Sequence, residues 1–182
     1  MMFSAINLIR TELNSDGIPA EAGNIGEIVA GNAVNNNADI IVSLINVEEN
    51  RVSRDPRNYI KSGTELLLKN PPVHLYLTLL FTATRSGDAY GPALQNLQRV
   101  IQFFQGKYVF DHSNTQGMDA GIEKLILEMV SINLEQLNHL WSILGGRYQP
   151  SVVYKMRMVT IDSLNGDQGD VIKEIETKYF MK

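Results

Sequence analysis

The sequence contains 182 residues with a mass of 20.4 kDa, which is enough for one domain with a substantial hydrophobic core. Hydrophobic residues make up 44% and charged residues 20% of the chain, a balance that excludes a largely disordered protein. The net charge of -4 provides no electrostatic footprint for nucleic acid, so we expect no nucleic-acid partner. Because the chain has no cysteine, disulfides, thiolate nucleophiles, zinc fingers and iron–sulfur clusters are also excluded.

No segment has the pattern of a secretion signal or of a membrane-spanning helix. Residues 1–6 contain no basic side chain, and Arg10 and Glu12 interrupt the apolar run that a signal peptide needs. The most apolar stretch, residues 73–81, is far shorter than the ~20 residues that span a bilayer. We therefore expect a protein that assembles in the cytoplasm and has no membrane partner.

The first element in chain order is predicted to be a helix. Its apolar stripe recurs with a period of about 3.6 residues and consists of Met2, Ile6, Ile9 and Leu13. The turn-forming residues 14–17 end this helix. The glycine-rich stretch that follows has a weak pattern, which indicates a loop with one short strand at residues 25–30.

The middle of the chain is predicted to form strands. Residues 40–47 are rich in β-branched side chains, and residues 64–69 resemble a second short strand. The clearest strand spans residues 73–84, where one face is wholly apolar and holds Val73, Leu75, Leu77, Leu79, Phe81 and Ala83. A strict period of two with one apolar face indicates an antiparallel sheet that packs one face on a core.

The second half of the chain alternates helices and strands. Residues 93–104 carry a helical apolar stripe, and Gly106 is placed to end that helix as its C′ residue. Residues 122–132 fit either a helix or a strand. Asn133 and Gln136 resemble a capping box, which indicates that a new helix begins at Leu134 and that a strand precedes it.

The last segments complete an α+β architecture. Residues 151–161 are predicted to form a strand, and the tail at residues 171–180 fits either a strand or a frayed helix. Strands grouped with helices without regular βαβ alternation predict a single mainly antiparallel sheet with helices on one face. We expect residues 1–182 to form one domain.

The sequence contains no recognisable catalytic or cofactor motif. It lacks the phosphate-binding glycine loops and the G-x-S-x-G elbow of serine hydrolases. His74, His112 and His139 do not have the spacing of metal ligands, and the acidic stretch 162–170 departs from the calcium-binding EF-hand pattern. We therefore expect a protein that is not an enzyme, with no catalytic residue, cofactor or metal.

A short charged connection is the one polar cluster that invites an interface interpretation. It follows the strand at residues 40–47 and contains Glu48, Glu49, Arg51, Arg54 and Arg57. Neighbouring residues of a strand point to opposite faces, so Glu48 and Glu49 cannot readily share a proton as a catalytic pair. The cluster is either a solvated strand end or complementary charge across a subunit interface.

Three stretches carry a resemblance to a known family. They are residues 69–77 with Asn70, Pro71 and Pro72, the helix that ends in Gln102-Phe103-Phe104, and a block with Trp141, Gly145, Gly146, Tyr148 and Pro150. Together and in this order they resemble the cap, or tail-terminator, family of extracellular contractile injection systems, which are phage-tail-like particles. The signature residues are expected to define turns and the fold.

The resemblance implies a structural role. It implies a fold similar to phage tail terminators, a homo-oligomeric hexameric ring, and contacts with the sheath and inner tube proteins at the end distal to the baseplate. It implies no catalytic residue. Many family members have a further C-terminal domain that this chain is expected to lack, so the chain caps a particle either alone or beside a longer paralogue. The charged connection and the segment after Asp162 are expected at subunit or sheath contacts.

A different class of function is the alternative. The chain could instead be a small-molecule or peptide-binding module, or an enzyme that uses His74 or His139. A hexameric ring would favour the terminator, whereas a stable monomer with a deep polar pocket would favour this alternative.

Overall fold

The computed structural model of the protein describes residues 1–31, 38–50, 59–62, 65–68 and 74–160. The helices within these ranges are α1 (Met2–Ser15), α2 (Ile25–Val29), α3 (Tyr90–Gly106) and α4 (Leu134–Ile143). The strands are β1 (Ala20–Ala22), β2 (Ile40–Glu49), β3 (Tyr59–Ser62), β4 (Glu65–Leu68), β5 (Leu75–Ala83), β6 (Val109–Asp111), β7 (Ile122–Val130) and β8 (Ser151–Thr160). None of the helices in these ranges is long and apolar enough to cross a membrane.

A six-stranded sheet organises the chain in the order β1-β2-β5-β8-β7-β6. The short β1 runs parallel to β2, and every other neighbouring pair in this sheet is antiparallel. β3 and β4 form a separate two-stranded antiparallel sheet. The predicted α+β class with a mainly antiparallel sheet is confirmed, and the predicted strand at 64–69 corresponds to β4.

One face of the sheet packs on α1 and α3 through the main hydrophobic core. The alternation of β5 places Leu77, Leu79 and Phe81 on this face, and all three are fully buried. Phe81 packs edge-on against Phe104 of α3 and Tyr154 of β8, with ring centroids 5.3 and 5.5 Å away. The prediction that the apolar face of this strand contacts a core is confirmed. We call this side of the sheet face A.

The opposite side, face B, carries a second core. Its members come from α2, β2, β5, α4 and β8, and the buried ones include Ile25, Ile41, Leu80, Trp141 and Val153. The expectation of helices on one face is therefore wrong in this detail, because α2 and α4 cover part of face B. The physical reason lies in β2 and β5, where Ile41 and Leu80 add an apolar second face that must also be covered.

The stretch at residues 25–30 forms the helix α2 instead of the expected short strand. The Asn24 side chain accepts a hydrogen bond from the Gly26 backbone N–H at 3.0 Å, which satisfies one of the free donors at the start of this helix. Ile25 is buried against face B. Capping and burial together outweigh the weak periodicity of this segment.

The end of α3 also differs from its prediction. Gly106 is the last helical residue, and Lys107 follows in an extended conformation with φ -134°. Gly106 thus does not adopt the left-handed conformation of a C′ glycine. The predicted tail element at residues 171–180 lies outside the described residues.

The capping box at the start of α4 is confirmed. The Gln136 backbone N–H donates to the Asn133 side chain at 2.8 Å, and the Asn133 backbone N–H donates to the Gln136 side chain at 2.9 Å. β7 ends three residues before this cap, at Val130. The cap therefore resolves the ambiguous segment 122–132 in favour of a strand.

Removing this cap should destabilise the protein. Asn133→Ala leaves the Gln136 backbone N–H without its side-chain acceptor, and we expect the free energy of unfolding to fall by about 1 kcal/mol. Chemical denaturation measures this change. The control Asn138→Ala alters an exposed residue of the same helix and should change stability little. Equal stability of the two variants would contradict the capping role.

Candidate assembly surface

The candidate interface residue Glu48 lies on face B and is held by its own chain. Its carboxylate accepts a hydrogen bond from Lys155 Nζ at 2.6 Å and another from Asn46 Nδ2 at 2.9 Å. Lys155 Nζ also lies 4.4 Å from the centre of the Tyr76 ring. The geometry joins β2, β5 and β8 in a partly exposed polar cluster.

This arrangement shifts the titration of Glu48. The hydrogen bond and the positive charge of Lys155 lower the pKa of Glu48 from its ordinary value. The carboxylate therefore stays ionised at neutral pH and acts as an ion-pair partner, with no free proton for acid catalysis.

The other members of the charged connection are placed differently. Glu49 is adjacent to Leu75 in the register, so its side chain lies on the side of the sheet opposite to Glu48, whose partner is Tyr76. Arg51, Arg54 and Arg57 lie outside the described residues. The structure therefore brings Glu48 together with Lys155, a residue that the sequence reasoning did not select.

An open groove of about 530 Å³ lies on face B between α4 and the second half of β2. Apolar side chains form most of its wall, including Ile45, Val130, Leu140 and Ile143, and Glu48 and Lys155 lie at its border. Neither His74 nor His139 lines it. The groove therefore offers apolar contact and one ion pair, without a nucleophile–base arrangement.

The histidines of the alternative function are not brought together with metal ligands. His139 is exposed on α4, and His74 is partly buried just before β5. Within residues 1–31, 38–50 and 74–160, no group of three or more His, Asp or Glu side chains has the arrangement of a metal site.

The signature block around α4 forms a compact turn. Trp141 is buried and stacks edge-on against Tyr148, with ring centroids 5.9 Å apart. Gly145 and Gly146 have φ values of +110° and +74°, and the Gly146 N–H donates to the Trp141 carbonyl at 2.7 Å, as in a Schellman motif. The Pro150 carbonyl accepts a hydrogen bond from the Ala83 N–H at 2.9 Å, at the start of β8.

The signature residues Asn70, Pro71 and Pro72 lie outside the described residues. The described part of the signature connects α4 to β8 and holds Trp141 on the second core. That the signature residues define the fold stays a prediction.

The two ends of the sheet expose apolar side chains that the sequence reasoning did not select. Leu44 and Val47 lie on β2, Met129 lies on β7, and Tyr108 directly precedes β6. The strand periodicity assigns these residues to faces, but it contains no signal for which strands are the edges of the sheet. Only the topology identifies them as edge residues.

Comparison of the chain with models of known protein families gives one match that covers most of its length. The family model described as the Pvc16 N-terminal domain matches residues 5–174. The chain belongs to this family. Among curated proteins, no sequence matches the chain.

Solved structures of terminators have a similar fold. One is the PVC sheath/tube terminator of an extracellular contractile injection system in its extended state, with a TM-score of 0.59 and 13% identity over all of this chain. Another is the anti-feeding prophage cap, a tube-terminating cap, with a TM-score of 0.50 and 18% identity over 76% of this chain. The chain spans 64% and 48% of the lengths of these two structures.

The positive φ of Gly145, after the end of α4, leads to a prediction about stability. Gly145→Ala places a Cβ on a backbone with φ +110°, and we expect a loss of about 1 to 3 kcal/mol in the free energy of unfolding. The control Gly106→Ala adds a Cβ in open space at a helical position, and stability should rise by about 0.4 to 1 kcal/mol. Thermal denaturation of both variants measures the difference, and an unchanged Gly145→Ala protein would contradict the strain.

The Glu48–Lys155 pair predicts a pH dependence. In Lys155→Met the pKa of Glu48 should rise toward its ordinary value, because the hydrogen bond and the positive charge are lost. The stabilisation from a lowered Glu pKa is present above the unfolded-state pKa and disappears as the pH falls through the folded-state pKa. Carboxyl-carbon NMR titration measures the shift.

Asp111 is the internal control in the same spectra. Hydrogen bonds from Ser113 lower the pKa of Asp111, so this pKa should not change in Lys155→Met. An unchanged Glu48 titration would exclude Lys155 as its cause.

Proposed function

We propose that this protein is a structural cap of a contractile injection system. It closes the baseplate-distal end of the tube and sheath, stops their polymerisation and anchors the sheath end. The observation that carries this proposal is the family match over residues 5–174. The fold shared with two terminators supports the same role.

The cap acts as a homo-oligomer, in a hexameric ring that matches the six-fold symmetry implied for tube and sheath. A ring is a physical solution for a sheet with exposed edges, because closure pairs or covers groups that otherwise favour aggregation. Its partners are the sheath and inner tube proteins. Assembly takes place in the cytoplasm, and the ring then remains part of the particle.

The role needs no catalysis. The groove on face B has no nucleophile–base arrangement, and His74 and His139 do not line it. The same groove is the observation that favours the second candidate function, a peptide-binding module, because its walls are mostly apolar and open to solvent.

Particle assembly with and without the protein tests the proposal. The tube and sheath proteins of the same gene neighbourhood are co-expressed with or without this chain, and particles are imaged by electron microscopy. With the chain, we expect closed distal ends that contain it and a narrow length distribution. Without it, tubes should vary in length and end openly. Identical particles in both samples would contradict the cap.

Parallel expression of a longer paralogue separates two modes of capping. Closed ends with this chain alone indicate that it caps unaided, and closed ends only with both proteins indicate joint capping.

The charged connection supplies a mutational test. We propose that Arg51 and Arg54 contact a neighbouring subunit or the sheath. Arg51→Glu with Arg54→Glu should then prevent ring formation or capping, since two attractive contacts become repulsive. Native mass spectrometry and particle imaging measure the two effects. The control Arg51→Lys with Arg54→Lys keeps the charge and should assemble. Intact capping by the glutamate variant would remove these residues from the interface.

A further inference from the structure

Among the described residues, the six-stranded sheet has an edge that is only partly paired at each end. β1 pairs with β2 only at Ile40–Val42, and within the described residues no strand lies along the outer edge of β2 beyond that point. At the other end, β6 pairs only with residues 124–126 of β7. The Leu127 N–H still donates to the Tyr108 carbonyl at 2.9 Å, and the described chain places no strand outside β7 after it.

Two cross-strand rows on face A connect these edges. The register aligns the first row as Leu44, Leu79, Tyr154 and Met129. It aligns the second as Val47, Leu77, Met156 and Leu127, with Tyr108 beside Leu127. Each row is buried in the centre of the sheet and reaches solvent at both ends.

The exposed ends of the rows are large apolar side chains. Leu44 and Val47 are 40% and 44% exposed, and Met129 and Tyr108 are 53% and 55% exposed. Phe3 of α1 is 74% exposed and lies with Leu44 around a shallow hollow of about 410 Å³. We call Phe3, Leu44 and Val47 the β2 edge patch, and Tyr108 and Met129 the β7 edge patch.

A β-bulge brings two residues of the β2 edge patch, Leu44 and Val47, to the same face of the sheet. The register with β5 shifts between Leu44 and Asn46, so Ile45 is an extra residue on β2. Leu44 and Val47 therefore share face A although they are three residues apart. The shift produces two adjacent apolar contacts at this edge, with the hollow beside them.

The strand directions suit contact between the two patches. β2 is antiparallel to β5, β5 to β8, and β8 to β7, so β2 and β7 run in opposite directions. A β2 strand placed against the β7 edge of a neighbour would therefore continue the alternation of the sheet. Because the two edges differ, this contact is heterologous, and repeated rotation of such a contact closes a ring.

We infer that the β2 edge patch of one protomer contacts the β7 edge patch of the next copy of this chain. Met129 and Tyr108 of one copy pack against Leu44, Val47 and the hollow beside Phe3 of the other. The inference rests on the proposed ring and names the surfaces that form it. A heterologous contact covers both open edges of every protomer, whereas a two-fold contact between identical edges leaves the other kind exposed.

Engineered cysteines test the contact directly, because the natural chain has no cysteine. Leu44→Cys and Met129→Cys are purified separately and then mixed, and oxidation or a short bis-maleimide linker captures neighbouring thiols. The contact predicts covalent dimers in the mixture and almost none in either variant alone. The double variant should produce a ladder of covalent oligomers up to the full ring.

Two further variants control this experiment. Ser142→Cys places an exposed thiol on α4, at a residue that belongs to neither patch, and should not cross-link to Met129→Cys. Met129→Glu places a charge in the proposed contact, and native mass spectrometry should then detect monomers that circular dichroism shows to be folded.

The outcomes test this contact independently of the proposed cap function. Dimers specific to the mixture, together with loss of the ring in Met129→Glu, support the contact. A ring without these dimers, or dimers in Leu44→Cys alone, overturns the contact and leaves the cap in place. A protein that is monomeric at all concentrations also overturns the contact. The particle-imaging experiment then decides independently whether the protein is a cap.

Discussion

The structure depends on the burial of β5 on both faces of the sheet. Leu77, Leu79 and Phe81 fill the core on face A, and Leu80 fills the core on face B. β2 and β8 pair with β5 along almost its whole length. This arrangement concentrates stability in the centre of the sheet, because each buried large side chain contributes about 1.5 to 3 kcal/mol relative to its exposed state.

Strand periodicity and helix capping made much of the fold predictable. The alternation in β5 identified the face that packs on the main core, and Asn133 with Gln136 identified the start of α4. The second core was not predicted, because Leu80 lies between Thr78 and Thr82 on its face of the strand, and that face therefore reads as polar. α2 was missed for a similar reason: a helix of five residues has too few turns to show a period, and its cap at Asn24 is local.

The candidate site was less predictable than the fold. Glu48 was selected because it belongs to a charged stretch of sequence. The structure pairs it with Lys155, which is 107 residues away in sequence. Edge residues such as Leu44 and Met129 are of the same apolar types as the core residues, so residue type does not distinguish them. Their exposure follows from the order of strands and from the short lengths of β1 and β6. Strand order depends on long-range pairing, which local patterns do not encode.

The bulge at Ile45 divides β2 into two halves with different phases of the pleat. Before it, Ile40 and Val42 face the main core together with their neighbours on β5. After it, Val47 and Glu49 lie on face A, and Asn46 and Glu48 lie on face B. If Ile45 instead paired opposite Thr78 in a regular strand, Val47 would lie opposite Tyr76, on the side of the sheet that Glu48 now occupies, while the core half of the strand stayed in register. The bulge thus sets which side chains the exposed half of β2 carries on each face, without any change in what the strand buries.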